Sequence, residues 1–310
     1  MALTDAALPH DPSWPRAGDW PALESIAGRL DAALVGIGTH ATSLSGTSAH
    51  TTPAAVRAAL RRYSPYAYDE AAGGAGDGAL DALRLADAGD ASDPDGDEDA
   101  AIALVGRAAA RARLTIVLGG DNAATVPAAL GAWGERIATA GLITIDAHHD
   151  LRDGRSNGSP VRRLLDTGLD GSRVVQIGIQ DFANSRAYAE RAREAGITVL
   201  HRDAVELRGV AAVAAEALDV AGAAGGPIHL DVDVDACDRS VAPGCPASTP
   251  GGLSAWQLRA LVRALVADPR VASIDFTEVD ATADTADGRT VRLVALGVLE
   301  ALAALAGRDR

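Results

Sequence analysis

The sequence lacks lysine altogether, so its 28 basic residues are all arginine, and its 42 acidic residues leave a formal net charge of −14. A surface this acidic repels nucleic acids and anionic membranes, and neither is an expected partner. A small molecule remains as the expected ligand. If that ligand is an anion, it needs a local positive residue in order to bind.

Cysteine and aromatic residues are also scarce. Cys237 and Cys245 are too few for a disulfide framework, so we expect reduced thiols in a cytoplasmic protein. Aromatic residues make up 3% of the chain against 48% for all hydrophobic residues, which leaves alanine, valine and leucine to fill the core. The N-terminus lacks the basic and apolar regions of a signal peptide, and no run approaches the ~18 apolar residues of a membrane span. These absences predict a soluble protein.

Apolar runs alternate with helical segments along most of the chain. Nearly uninterrupted apolar runs are typical of strands that are buried on both faces. The predicted strands are 32–37, 114–118, 142–146, 174–179, 197–200, 228–233 and 271–276. The segment 203–222 is predicted to be one helix. The alternation predicts an α/β fold of three layers, a mostly parallel central sheet with helices on both faces. We expect a single domain over 1–310, with a leader at 1–30 and an acidic surface loop at 71–99.

The most informative segment is Asp146-Ala147-His148-His149-Asp150, at the end of a predicted strand. Asp146, His148 and Asp150 alternate along it, and carboxylates around an imidazole suit Mn²⁺, Fe²⁺ or Zn²⁺ better than Ca²⁺. A second alternating run contains Asp233 and Asp235 and ends another strand. Two carboxylate-rich strand ends can hold two metal ions, and ions ~3.5–4 Å apart generate hydroxide from water at neutral pH.

Other predicted strands are also followed by acidic residues, namely Asp121, Asp181, Glu278 and Asp280. Ligands of an open α/β sheet bind at the carboxyl ends of its strands, where these acids would repel one another without cations. Asp121 and Asp181 are equally consistent with helix caps or loop hydrogen bonds. His149 alternates with the ligand positions, and both a role in the site and an ordinary structural role remain open for it.

Three motifs at these positions resemble the ureohydrolase superfamily, which includes arginases, agmatinases and formimidoylglutamases. They are the Gly119-Gly120-Asp121 turn, the segment 146–150, and Asp233-Val234-Asp235 followed by Pro243-Gly244. Finer details are most similar to the formimidoylglutamase branch, namely Arg152, the segments 157–162 and 180–185, and the segment 287–290. The resemblance extends from about residue 32 to the end of the chain and implies an arginase-like fold.

The resemblance implies two Mn²⁺ ions, both bridged by Asp146 and Asp233. Asp150 would complete one site, and His148 with Asp235 would complete the other. Water activated between the ions would attack the amidine carbon of the substrate.

Further residues are assigned by the same resemblance. Glu278 would hold the cationic formimidoyl nitrogen, and the guanidinium of Arg152 would bind a substrate carboxylate, with Asn157 and Ser159 as further substrate-binding residues. Asn122 stands where the family usually has a histidine. As a weaker ligand it would leave the ion near Asp150 loosely bound.

The implied reaction is the hydrolysis of N-formimidoyl-L-glutamate to L-glutamate and formamide in histidine degradation. Residues 151–165 contain no histidine, which argues against an arginase. Two alternatives stay open. One is another amidine or guanidine substrate, such as agmatine or guanidinobutyrate, and the other is a non-catalytic relative whose metal site is weakened at Asn122. By analogy with relatives, we expect a homo-oligomer.

Overall fold

The computed structural model describes residues 11–68 and 80–308 of the chain. Within them, eight strands form one sheet. The strands are β1 (Leu30–Ile37), β2 (Leu85–Asp90), β3 (Ala112–Gly119), β4 (Gly141–Ile145), β5 (Val174–Ile179), β6 (Thr198–His201), β7 (Ile228–Asp233) and β8 (Val271–Thr277). The α-helices are α1 (Thr52–Leu60), α2 (Glu98–Ala109), α3 (Thr125–Trp133), α4 (Pro160–Thr167), α5 (Arg186–Glu194), α6 (Arg202–Arg208), α7 (Val210–Ala221), α8 (Ala255–Val266) and α9 (Arg289–Gly307).

The strand order is β2-β1-β3-β8-β7-β4-β5-β6, and every pairing is parallel. Helices cover both faces. One face packs against α1, α6, α7, α8 and α9, and the other against α2, α3, α4 and α5. Neighbouring residues of one strand, such as Leu142 and Ile143, lie in different clusters because side chains alternate between the faces. The predicted three-layer α/β fold is confirmed.

The register of the central strands determines which acidic residues become neighbours. Ile145 of β4 pairs with Val232 of β7, so the next residues, Asp146 and Asp233, leave the sheet side by side. On the other side of β7, Asp233 pairs with Thr277 of β8, the residue before Glu278. The central strands therefore bring their acidic residues together at the carboxyl ends of the strands.

The prediction of an acidic surface loop at 71–99 is wrong in part. Residues 69–79 lie outside the described part of the chain, but β2 occupies Leu85–Asp90 and α2 begins at Glu98. The counter-charge comes from a distant segment: Arg57 of α1 binds Asp87 at 2.7 Å and Asp90 at 2.6 Å. A local count of charges could not reveal this partner.

The segment predicted as a leader is also more integrated than expected. Residues 1–10 lie outside the described part, but Ala17 and Leu23 are buried, and the carbonyl of Pro21 accepts a hydrogen bond from the amide of Asp87 at 2.9 Å. The segment from Ala17 to Leu23 therefore packs against the edge of the sheet.

Two further differences concern helices. The predicted helix at 203–222 is two helices, because Gly209 has φ +80° and ends α6 before α7 begins. The short helices α4 and α5 were not predicted, since they are rich in arginine and bury few residues.

The expectation that no segment is long and apolar enough to cross a membrane is wrong for one helix, α9. Its 19 residues meet that test by length and composition, but most of the helix is buried inside the protein against α1 and α8. Its apolar composition is that of a core helix. Cys237 and Cys245, also buried, form no disulfide.

Candidate metal centre

Four adjacent strands, β3, β8, β7 and β4, direct polar side chains to the same edge of the sheet. The segments after these strands contain Asn122, Glu278, Asp235 and Asp150, and each of these side chains is at most 7% exposed. Water is largely excluded from this edge, so charges there interact strongly.

The four aspartates and one histidine predicted as metal ligands come together as two overlapping groups. One consists of Asp146, His148 and Asp235, and the other of Asp146, Asp150 and Asp233. Within each group, one potential ligand atom per residue lies within 4.8 Å of the others. Asp146 belongs to both groups, as a bridging ligand must, whereas Asp233, which was also predicted to bridge, belongs to one of them.

Negative charge on these carboxylates is unfavourable, because they are buried next to one another. Burial and neighbouring carboxylates raise the pKa of Asp146 to about 6 and the pKa values of Asp150 and Asp233 well above their usual range. One carboxylate oxygen of Asp146, Oδ2, is buried and has no hydrogen-bond partner among the described residues. Unpaired buried oxygen atoms of this kind are suitable ligands for a divalent cation.

His148 offsets part of the negative charge. Its Nδ1 lies 2.9 Å from Oδ2 of Asp235 and 3.5 Å from Oδ1 of Asp146. Burial alone lowers the pKa of His148, but the charge of Asp235 and hydrogen bonds to both aspartates raise it to about 12. A metal ion bound there would replace this proton, since a ligating imidazole must be neutral.

Asn122 was predicted as a weak metal ligand, and this role stays a prediction. Its amide oxygen accepts hydrogen bonds from the hydroxyls of Thr125 at 2.7 Å and Thr277 at 3.0 Å. Its NH₂ group donates to Oδ2 of Asp150. In this arrangement the two threonines hold the oxygen away from the acids, and the NH₂ group of Asn122 faces Asp150.

Glu278 lies beside the two groups and is 4% exposed. Burial raises its pKa to about 8, although the backbone amide of Asn122 donates to its Oε1 at 2.9 Å and Nδ2 of Asn157 at 2.6 Å. Glu278 has φ +62° and Asp150 has φ +52°, a left-handed conformation that is unfavourable for residues other than glycine. Such strain is concentrated at functional sites.

A cavity of about 410 Å³ opens onto these side chains. Arg152 and Asn157 line it, together with Tyr188 and the exposed side chain of Phe182. None of the carboxylates of the described residues forms an ion pair with Arg152. Arg152 and Asn157, the predicted substrate-binding residues, therefore lie at this cavity, and their contact with a substrate stays a prediction.

Ser159, by contrast, does not reach this cavity. It is fully buried, and its hydroxyl donates to the carbonyl of Ser156 at 2.8 Å and accepts from the amide of the same residue. The predicted substrate-binding role is corrected to a structural role in the loop before α4. The pattern that suggested it could not distinguish a hydroxyl that faces a ligand from one that closes a turn.

His149 lines the same cavity and also makes structural hydrogen bonds, so both roles stay open for it. Its Nδ1 lies 2.7 Å from Oε1 of Gln176 on β5, and its backbone amide donates to Oδ1 of Asn184 at 3.0 Å. Asn184 also donates to the carbonyl of Ala147, so it holds the segment 146–150 at two points. Asp121 is a cap, accepting from the amide of Ala123 at 3.1 Å.

Sequence reasoning missed Gln176 and Tyr188. Their contacts to the site join strands and helices that are distant in sequence, and no local signal marks them.

Comparisons with known proteins agree with this fold. A family model described as the arginase family matches residues 30–304. Formimidoylglutamase of Halalkalibacterium halodurans is 35% identical over 262 residues, which are 81% of this chain and 80% of that protein. The crystal structure of formimidoylglutamase from Bacillus subtilis has a TM-score of 0.87 at 30% identity, covering 97% of this chain and 95% of that one. A structure of Trypanosoma cruzi formiminoglutamase with two Mn²⁺ ions has a TM-score of 0.78 at 25% identity, covering 94% and 100%.

Proposed function

The chain belongs to the arginase family and is a hydrolase of a linear amidine, and we propose that its substrate is N-formimidoyl-L-glutamate. Water would cleave the C–N bond between the formimidoyl carbon and the amino-acid nitrogen. The carbon leaves as formamide, and the nitrogen takes a proton and leaves as the amino group of L-glutamate. This reaction is a step of histidine breakdown, and we assign it to the cytoplasm.

The metal ions of the proposal are two Mn²⁺. Asp146, His148 and Asp235 would hold one, and Asp146, Asp150 and Asp233 the other. The fit rests on buried acids with raised pKa values and on the unpaired Oδ2 of Asp146. When bound, such ions lower the pKa of water and act as Lewis acids.

Glu278 would bind the amidinium of the substrate. Both hydrogen bonds that it accepts from described residues reach Oε1, so Oε2 is left for the substrate nitrogen. Asn157 holds this carboxylate in one orientation, because its Oδ1 is itself bound to the backbone amide of Leu44 at 3.0 Å. A cation next to Glu278 favours its ionised form, in spite of the burial that raises its pKa.

The observation that favours a substrate with a carboxylate over agmatine is Arg152. Its guanidinium lines the same cavity as the acids and has no carboxylate partner among the described residues. A substrate with an amidine at one end and a carboxylate at the other would satisfy both Glu278 and Arg152, because a guanidinium binds a carboxylate bidentately. Agmatine has a cationic tail, which Arg152 would repel.

The test is a formamide-release assay with N-formimidoyl-L-glutamate in the presence of Mn²⁺. We expect turnover by the wild type and loss of both activity and bound metal in Asp233→Ala, because Asp233 is one of three acids in its group. Asp166→Ala is the matched control, since Asp166 lies exposed on α4, and it should keep both. Faster urea release from agmatine or 4-guanidinobutyrate than formamide release would refute the proposed substrate.

One observation favours a second candidate, a non-catalytic member of the family. The NH₂ group of Asn122 faces Asp150, where a metal ligand would otherwise be expected. Two Mn²⁺ per chain with no turnover of any amidine would support this alternative over the enzyme.

A further inference from the structure

Arg152 is held against the face of an aromatic ring on the cavity wall. Its guanidinium carbon lies 5.8 Å from the ring centroid of Tyr188, within the range of a cation–π interaction. Tyr188 is the third residue of α5, and Ser185, the N-cap of that helix, accepts a hydrogen bond from its backbone amide at 3.3 Å. The N-cap therefore fixes the backbone from which the ring projects.

Arg191 fixes the chain on either side of Arg152. Its Nη1 donates to the carbonyl of Leu151 at 2.8 Å, and both terminal nitrogens bind the carboxylate of Asp153 at 2.9 Å. Arg191 follows Tyr188 by three residues on α5, so both project from the same side of the helix. The charge of Arg191 is neutralised by Asp153. Arg152, which lies between the anchored residues Leu151 and Asp153, forms no ion pair with a carboxylate of the described residues.

Gly158 supports Arg152 from further along the same loop, between β4 and α4. Its carbonyl accepts a hydrogen bond from the Arg152 amide at 3.0 Å. A Cβ atom at Gly158 would lie 2.7 Å from Cδ of Arg152 and 3.0 Å from Nε, closer than side-chain atoms tolerate. The absence of a side chain at 158 is what lets the stem of the arginine lie along the loop.

We propose that Tyr188 is a specificity-determining positioning residue, which together with Gly158 holds the Arg152 guanidinium towards the cavity to receive a carboxylate of the substrate. The inference rests on the proposed function, because it assigns the same cavity an amino-acid ligand with a carboxylate. A long arginine side chain that is exposed loses several rotatable bonds of freedom when it binds an anion. The ring and the glycine restrict that freedom in advance, so the unpaired charge is already in place when the ligand arrives.

The test is a double-mutant cycle on the binding of L-glutamate to the Mn²⁺-loaded protein, measured by calorimetry. We expect Tyr188→Ala to weaken binding about 5- to 10-fold in the presence of Arg152, and less than about 2-fold when Arg152→Ala is already present. Tyr188→Phe keeps the aromatic face and should bind within about 2-fold of the wild type. Gly158→Ala should behave as Tyr188→Ala does.

Two controls separate positioning from damage to the fold. Arg193→Ala removes an exposed arginine from the same helix and should leave L-glutamate binding unchanged. Mn²⁺ content should be equal in all variants, since none of these residues belongs to the metal groups. The inference would be overturned if Tyr188→Ala lowered the affinity for L-glutamate equally with and without Arg152. It would also be overturned if Tyr188→Phe lowered this affinity as much as Tyr188→Ala does, or if the wild type did not bind L-glutamate.

The cycle is independent of the proposed reaction. If the wild type binds L-glutamate with the predicted coupling but releases no formamide from N-formimidoyl-L-glutamate, the proposed function fails and the role of Tyr188 stands. If formamide is released but the coupling is absent, the function stands and the role of Tyr188 fails.

Discussion

At the scale of single residues, the sequence identified the charged members of the site but not their hydrogen-bond partners. Alternation after a strand was enough to predict Asp146, His148 and Asp150 as neighbours. It could not predict that Thr125 and Thr277 orient the amide of Asn122, because one of these threonines is contributed by a strand more than a hundred residues away. The direction of an amide depends on such partners rather than on its place in a motif.

Replacement of Asn122 by histidine tests the consequence of that orientation. An imidazole at 122 would offer a nitrogen ligand beside Asp150, where the wild-type amide offers an N–H donor. We expect Asn122→His to bind the second Mn²⁺ at least ~10-fold more tightly, as measured by metal content during titration with limiting Mn²⁺. Asn157→His, which places the same group near Glu278 instead, is the control. An unchanged affinity for the second Mn²⁺ in Asn122→His would show that metal binding near Asp150 does not depend on residue 122.

At the scale of secondary structure elements, the apolar strands of the central sheet were predictable and the polar elements at its edge were not. Buried strands such as β4, β5 and β7 carry an uninterrupted apolar signal because both of their faces are covered. The strand β2 has only one sheet neighbour, carries two aspartates and owes its stability partly to Arg57, so its sequence resembles a loop. Helix α5 is similarly polar, yet it supplies the tyrosine and arginine that support Arg152.

At the scale of the whole molecule, the sheet concentrates negative charge that the fold alone does not neutralise. Burial raises the pKa of Asp146 to about 6 and that of Glu278 to about 8, and the aspartate partners of His148 hold its pKa near 12 against the effect of burial. Between about pH 5 and 8 the folded metal-free protein therefore binds more protons than the unfolded chain does. Its stability should fall as the pH rises through this range.

Thermal unfolding with and without Mn²⁺ at pH 5.5 and pH 8 checks this prediction. Each extra proton held by the folded state lowers the free energy of unfolding by about 1.4 kcal/mol per pH unit of increase. Because the ligands must lose their protons to bind metal, stabilisation by Mn²⁺ should be larger at pH 8. Asp233→Asn removes a carboxyl group whose pKa is raised. The stability of this variant without metal should therefore fall less steeply with rising pH than that of the wild type. Equal stabilisation by Mn²⁺ at both pH values would contradict this account.

The central claim is that acids from adjacent parallel strands hold a pair of cations. The most direct measurement is anomalous X-ray diffraction from crystals grown with Mn²⁺. The account predicts two anomalous peaks, one surrounded by Asp146, His148 and Asp235 and the other by Asp146, Asp150 and Asp233. Crystals saturated with Mn²⁺ that show no peak among these residues would contradict it.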